Sequence, residues 1–86
     1  MPMIYDDDGT ECLTIKGRAG MQYETANGDT YEINSEMVAS DEYDIAVYAS
    51  DVVANGGRVV TGSEKDEVIS RVIALCEKGQ IKIRVF

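Results

Sequence analysis

The residue types that most often carry out chemistry in proteins are scarce in this chain. It has no histidine, the side chain that most often acts as a general base near neutral pH. Its two cysteines, Cys12 and Cys76, are far apart in sequence, and neither has an activating basic residue in a recognised arrangement. We therefore expect a protein that is not an enzyme. We also expect two reduced thiols, with Cys76 in the core of a helix; a single long-range disulfide is the alternative.

One acidic segment has a composition that could bind a metal ion. Asp6-Asp7-Asp8-Gly9 offers carboxylates, but a calcium loop needs alternating oxygen ligands that end in a glutamate, and Glu11 is too close to serve as that ligand. A solvated acidic turn is therefore favoured. The chain also lacks a glycine-rich loop of the phosphate-binding type, so we expect neither a metal nor a cofactor.

The charge of the chain is strongly negative and unevenly distributed. Sixteen acidic and eight basic residues give a net charge of −8, and residues 1–57 hold twelve of the acidic residues but only two of the basic ones. This field repels nucleic-acid phosphates and anionic membranes, and no apolar run is long enough to span a bilayer. A basic protein surface is the partner that it attracts. The N-terminus has neither the basic region nor the apolar region of a signal peptide.

The acidic part of the chain supplies the candidate residues for binding such a partner. Tyr43 is flanked by carboxylates, so it either packs its ring inside the protein or anchors an interface. For Tyr23, Tyr31 and Tyr48 we expect packing in the core. The candidate partner-binding residues are Asp41, Glu42, Tyr43, Asp44, Glu36, Asp51, Glu24 and Glu32.

A hairpin is the clearest element of the sheet that must position these residues. Apolar and polar residues alternate on both sides of Ala26-Asn27-Gly28. A two-residue Asn-Gly loop would place Tyr23 opposite Glu32 and mix the two faces of the sheet. A three-residue loop at 26–28 pairs Tyr23 with Tyr31 and keeps one face apolar, so we predict the longer loop.

The remaining turns and apolar runs predict short elements of a mainly antiparallel sheet. In the first half of the chain these are a short edge strand with an acidic turn (1–9), a strand at 10–16, a loop at 17–20, a connector or one helical turn at 35–38, and an acidic loop at 39–44. In the second half they are a central strand at 45–49 that Ser50-Asp51 ends, short strands at 52–53 and 58–60, and a final strand at 81–86. The final strand has an exposed edge, so we expect a monomer or a weak homodimer.

Residues 64–78 form the one predicted helix, because their apolar residues recur at helical spacing. Ser63 is its expected N-cap, with Asp66 as the partner in a capping box, and Gly79 is its expected left-handed C-terminal cap. The next strand starts so soon that the helix must fold back on the sheet. We predict a single α+β domain over residues 1–86, with an antiparallel-rich sheet and one main C-terminal helix on one face.

Several segments, taken together, resemble a known family. They are the hairpin at 23–33 followed by Asn34-Ser35-Glu36-Met37, the strand Ile45-Ala46-Val47-Tyr48, Ser50-Asp51-Val52, the segment 61–65 before the helix, and Ile81-Lys82-Ile83. With them, residues 20–86 resemble the small immunity proteins of bacterial polymorphic toxin and contact-dependent growth inhibition systems. Members of that family commonly carry a tryptophan where this chain has Ala54-Asn55.

The resemblance implies a cytoplasmic protein that binds a cognate toxin domain, often a nuclease, and it implies no catalytic residues. We therefore expect an immunity protein that neutralises a toxin, a basic nuclease, through an acidic surface and without contacting nucleic acid itself. The alternative is an acidic nucleic-acid mimic that inhibits a DNA-processing complex, of the anti-restriction or anti-CRISPR type. A mimic needs rows of carboxylates at phosphate spacing, and the clusters at 6–8 and 41–44 do not have that pattern.

Overall fold

The structure is a computed structural model that describes residues 3–16, 19–38 and 41–86, without the side chain of Ala19. Residues 1–2, and parts of the predicted loops at 17–20 and 39–44, namely 17–18 and 39–40, lie outside the described residues. The elements of the described part are β1 (Met3–Tyr5), β2 (Cys12–Ile15), β3 (Ala19–Glu24), β4 (Thr30–Met37), β5 (Ile45–Ala54), β6 (Arg58–Val59), α1 (Gly62–Lys78) and β7 (Ile83–Val85).

The strands form a single mixed sheet that is mostly antiparallel. Its order is β1-β2-β3-β4-β5-β6, and β7 pairs in parallel with the first residues of β5. The helix packs on one face of this sheet through Val68, Val72, Leu75 and Cys76. The predicted α+β fold, an antiparallel-rich sheet with one main helix, is confirmed.

The three-residue hairpin loop is also confirmed. Tyr23 lies opposite Tyr31, and Met21 lies opposite Ile33. Gly28 has a φ of 91°, a left-handed conformation that glycine adopts at little steric cost, and its N–H donates to the carbonyl of Thr25 at 3.0 Å. The loop therefore fixes the register that keeps one face of β3 and β4 apolar.

Two boundaries predicted in the middle of the chain are wrong. The segment 35–38 is not a helical turn, because β4 continues to Met37 with Ser35 buried between its strand neighbours. Nor does Ser50-Asp51 end the central strand: Val52 pairs with Ile33 while Tyr48 pairs with Asn34, so residues 49–51 form a bulge within β5. The bulge leaves the polar residues exposed and returns Val52 to the core, which the alternation of a regular strand would not allow.

The predicted N-cap is wrong, and the C-cap is the predicted Gly79 but without the predicted left-handed conformation. The helix begins at Gly62, so Ser63 lies inside its first turn, and the N-cap Thr61 makes no side-chain capping hydrogen bond. At the other end Gly79 has a φ of −80°, and Gln80 adopts the left-handed conformation instead, at 60°. Gly79 matters for close packing, because a Cβ there would lie 2.8 Å from Cδ1 of Ile4.

The sheet has a core face, which packs on α1, and an opposite face, which we call the outer face. Leu13, Ile33 and Val47 are among the fully buried side chains of the core face. Cys76 is buried in the same core, whereas Cys12 is half-buried in β2, and both are free thiols. Burial raises the pKa of the Cys76 thiol to about 11, so this group is unreactive near neutral pH.

A matched pair of substitutions tests this assignment of faces. Val47 is fully buried and Val59 is 66% exposed, although both lie in strands. We expect Val47→Ala to lower the free energy of unfolding by about 2–3 kcal/mol through lost apolar burial and an unfilled cavity. Val59→Ala should change it by no more than about 0.5 kcal/mol. Urea denaturation measures both values, and equal effects would contradict the assignment.

Candidate functional site

The outer face of the sheet presents an exposed cluster of aromatic rings beside β7. The ring of Phe86 lies 6.1 Å from that of Tyr43, edge to face, and 6.0 Å from that of Tyr48. The guanidinium of Arg84 lies 5.9 Å from the Tyr43 ring and 5.8 Å from the Phe86 ring. We call Tyr43, Tyr48, Arg84 and Phe86 the aromatic patch; within it, Phe86 is 58% exposed.

The parallel pairing of β7 with β5 builds this patch. The Phe86 N–H donates to the Val47 carbonyl at 2.8 Å, and the Phe86 carbonyl accepts from the Ala49 N–H at 3.0 Å. These two hydrogen bonds hold Phe86 beside Tyr48 on the outer face. The prediction that Tyr48 packs in the core is wrong, because β5 alternates and the core side is taken by Ile45 and Val47.

Three of the predicted partner-binding residues border or belong to the aromatic patch, and two more adjoin these in sequence. Glu36 accepts a hydrogen bond from the Tyr48 hydroxyl at 3.2 Å, and Glu42 lies 3.7 Å from Arg84. Tyr43 packs on Phe86, and Asp41, next to Glu42, is exposed. Asp44 has a structural role, because its carboxylate accepts from the backbone N–H of Lys82 at 3.3 Å. The bond to Glu36 is the main reason that the pKa of Tyr48 is raised.

The other three predicted residues lie farther along the same face. Glu24 is exposed at the end of β3, and Glu32 of β4 pairs with the Lys16 ammonium at 2.8 Å. Asp51 lies in the bulge of β5, where it accepts from the Asn34 side chain at 3.2 Å. The structure therefore places these acidic side chains on the outer face but gathers only some of them at the patch.

Sequence reasoning missed Arg84 and Phe86. Their alternation with Ile83 and Val85 already indicated a face opposite the core. The sequence did not reveal which strand lies beside β7, because no local pattern shows that β7 pairs in parallel with β5. Once that pairing is known, the aromatic neighbours of Phe86 follow from the register.

A second polar feature, also missed, ties the helix to the hairpin. The hydroxyl of Tyr23 donates to Glu11, and the Arg71 Nε donates to the same carboxylate at 2.9 Å. The Tyr31 hydroxyl donates to Glu64 at 3.0 Å. Arg58 donates to both oxygens of Glu64, each at 2.8 Å. We call these two networks the arginine–glutamate–tyrosine clamps.

The clamps shift the pKa values of their members in the directions expected for paired charges. Arg58, and then Tyr31, lowers the pKa of Glu64 to about 2, and Arg71 followed by Tyr23 lowers that of Glu11. Burial, followed by the bond to Glu11, raises the pKa of Tyr23 to about 12. Both carboxylates are therefore ionised near neutral pH, so neither can act there as a general acid.

The clamps border an open cleft of about 530 Å³ between α1 and the hairpin loop. Its floor includes Val68, and its rim includes Asn27, Asp29 and Glu67. The two tyrosine rings stack on each other, with centroids 6.2 Å apart, so their faces are already engaged. The arrangement holds the helix in place, and its polar groups are satisfied by one another.

In the turn at 6–9, the carboxylate of Asp6 is engaged by the residues that follow the turn. Asp6 accepts hydrogen bonds from the Thr10 N–H at 2.7 Å, the Thr10 hydroxyl at 3.0 Å and the Glu11 N–H at 3.0 Å. Within the described residues, no group of three histidine, cysteine, aspartate or glutamate side chains is arranged to hold a metal ion. The helix of the described part, α1, does not have the length and apolar character needed to cross a membrane.

Comparisons with known proteins place the chain in no established group. No protein-family model, no curated protein and no solved structure matches it.

The acid stability of the protein tests the clamps. The folded-state pKa of Glu64, about 2, lies below its ordinary value of 4.5, so its ionised form stabilises the fold above that value and the contribution is lost as the pH falls toward 2. We expect the free energy of unfolding to drop over this range, and to drop less steeply in Glu64→Gln. Urea denaturation at a series of pH values measures both slopes.

The matched control is Glu67→Gln, an exposed carboxylate on the same helix for which no ion pair is found within the described residues. This variant should keep the wild-type slope. If Glu64→Gln kept it too, the Arg58 clamp would not contribute to acid stability.

Proposed function

We propose that this protein is a cytoplasmic inhibitor of the immunity type, which binds a basic toxin domain, a nuclease, and neutralises it. The observation that carries the proposal is the exposed aromatic patch, bordered by Glu36 and Glu42 and adjoined by Asp41, on a face that no other element covers within the described residues. The resemblance to small immunity proteins supports the same function.

The chemistry of the patch suits a protein interface. Aromatic and arginine side chains dominate the energetic centres of such interfaces, because they bury a large area with few rotatable bonds. Tyr43 and Tyr48 are half-buried and held by contacts with Phe86, so little conformational entropy would be lost on binding. The patch is therefore already arranged before a partner arrives.

The charges around the patch define what kind of partner fits. Within the described part of the chain, five basic side chains are already in ion pairs; they are Lys16, Arg58, Arg71, Lys78 and Arg84. The surplus carboxylates give the net charge of −8. A basic surface, such as the phosphate-binding surface of a nuclease, is attracted by this field, which raises the association rate and rejects acidic partners.

Affinity capture tests the proposal. With the full chain as bait in a lysate of its own organism, we expect one basic protein domain that is retained at low salt and eluted at high salt. Phe86→Ala should weaken the retention of that protein by at least about 10-fold, because it removes the centre of the patch. Val59→Ala, another exposed apolar side chain on the sheet, is the control and should retain the protein fully.

Capture of a multi-subunit DNA-processing complex would instead support the nucleic-acid mimic. Retention that is equal for wild type and Phe86→Ala would show that the patch is not the interface. If no basic protein or complex were retained at low salt, the proposed function would be wrong.

Charge reversal gives a kinetic test with the captured partner. Glu36→Lys combined with Asp41→Lys should lower the association rate constant about 10-fold at low salt, since Glu36 borders the patch and Asp41 is exposed next to Glu42 in sequence. The control, Asp8→Lys with Asp66→Lys, changes the net charge equally at exposed positions in the N-terminal turn and on the helix. Surface plasmon resonance at two salt concentrations measures the rates. Equal effects would mean that only net charge matters.

A further inference from the structure

The free edge of β7 has hydrogen-bonding groups that no described residue satisfies. In a parallel pair, alternate residues of a strand bond to the same neighbour. The Lys82 carbonyl accepts from Asp44 and Ile45, and Phe86 bonds to Val47 and Ala49, so this set faces β5.

The N–H and C=O groups of the intervening residues, Ile83 and Val85, therefore point away from the sheet. No backbone partner for them is found in the described part of the chain. The edge thus offers two donors and two acceptors in the spacing of a strand.

An apolar groove of about 570 Å³ runs along this edge, between α1 and β7. Ile73 of the helix and Ile81, Ile83 and Val85 line it, and all four side chains are only half-buried. A strand added beside β7 would place every second side chain over this groove, because side chains alternate between the two faces of a sheet.

The charges at the groove select its occupant. Glu42 and Glu77 outnumber Lys82 among the charged residues that line it. A second copy of this chain would bring another net charge of −8 to the same place, whereas a basic segment matches it. Glu42 also pairs with Arg84, so the groove is continuous with the aromatic patch.

We propose that an extended segment of the basic partner adds to the sheet as a strand beside β7. Its backbone bonds to Ile83 and Val85, and its apolar side chains fill the groove. Its alternate lysine or arginine side chains lie on the outer face, on the side where Glu42 pairs with Arg84. This is binding by strand addition, in which the main chain contributes affinity and alternate side chains contribute specificity. The inference rests on the proposed function and names how the partner binds.

Panning a displayed library of random 12-residue peptides against the full chain tests the inference without knowledge of the partner. We expect enrichment of peptides in which apolar residues alternate with lysine or arginine. Ile83→Pro should lower their affinity at least about 10-fold, because it removes an N–H that points away from β5, and proline is tolerated at such edge positions. Ile83→Val retains that N–H and should bind as the wild type does.

Amide hydrogen exchange gives a second readout that does not depend on the proline variant. In the wild-type chain, an enriched peptide should slow exchange at Ile83 and Val85 at least about 10-fold, and it should leave Ile4 in β1 unchanged. Absence of enrichment, or enriched peptides that neither protect these amides nor respond to Ile83→Pro, would overturn the inference. Sedimentation that detects a wild-type dimer lost in Ile83→Pro would assign the edge to a second copy and would also overturn it.

The two proposals fail separately. A basic partner that is captured from lysate but binds Ile83→Pro normally would leave the proposed function intact and remove strand addition. Peptides that protect the β7 amides, in a chain that captures no basic protein, would support strand addition and contradict the proposed function.

Discussion

The register of the β3–β4 hairpin determines most of what this protein presents to its surroundings. With Gly28 in a left-handed conformation, Tyr23 lies opposite Tyr31, and the polar residues Gln22 and Glu32 that alternate with the apolar ones turn to the outer face. A shift of one residue would place Tyr23 opposite Glu32, so that the tyrosine of one strand and the glutamate of the other would share a face. The same register brings both tyrosine hydroxyls to the edge of the helix, where the carboxylates of Glu11 and Glu64 accept them.

In the clamps, two of the few basic side chains of this acidic chain join the helix to the sheet. Arg58 and Arg71 are each committed to one carboxylate that also accepts a tyrosine hydroxyl, so two polar groups at the boundary of the core are satisfied together. This stabilises the position of α1 on the sheet. It also leaves most of the remaining carboxylates of the outer face without an arginine partner within the described residues, which preserves the negative field that a basic partner would meet.

Strand β7 joins the two proposed contact surfaces, the aromatic patch and the groove beside the helix. Because β7 pairs in parallel with the start of β5, alternate residues of one short strand reach the outer face and the groove beside the helix. Arg84 and Phe86 complete the aromatic patch, while Ile83 and Val85 line the groove and leave their backbone groups unpaired within the described residues. A partner bound at this edge would therefore contact rings, carboxylates and main chain together, and each kind of contact adds a different element of selectivity.

Local patterning in the sequence determined the secondary-structure types, the hairpin register, the helix and the negative charge, because alternation, helical spacing and the turn preference of glycine act over a few residues. It misplaced the N-cap, the conformation of Gly79, the end of β5 and the segment at 35–38, since a bulge and close packing against Ile4 depend on distant neighbours. The predicted acidic residues of the strands fall on the outer face, but only the tertiary structure decided which carboxylates lie near Arg84 and Phe86. The reason is that the parallel pairing of β7, and the two clamps to the helix, join residues far apart in the chain, and no local preference encodes such contacts.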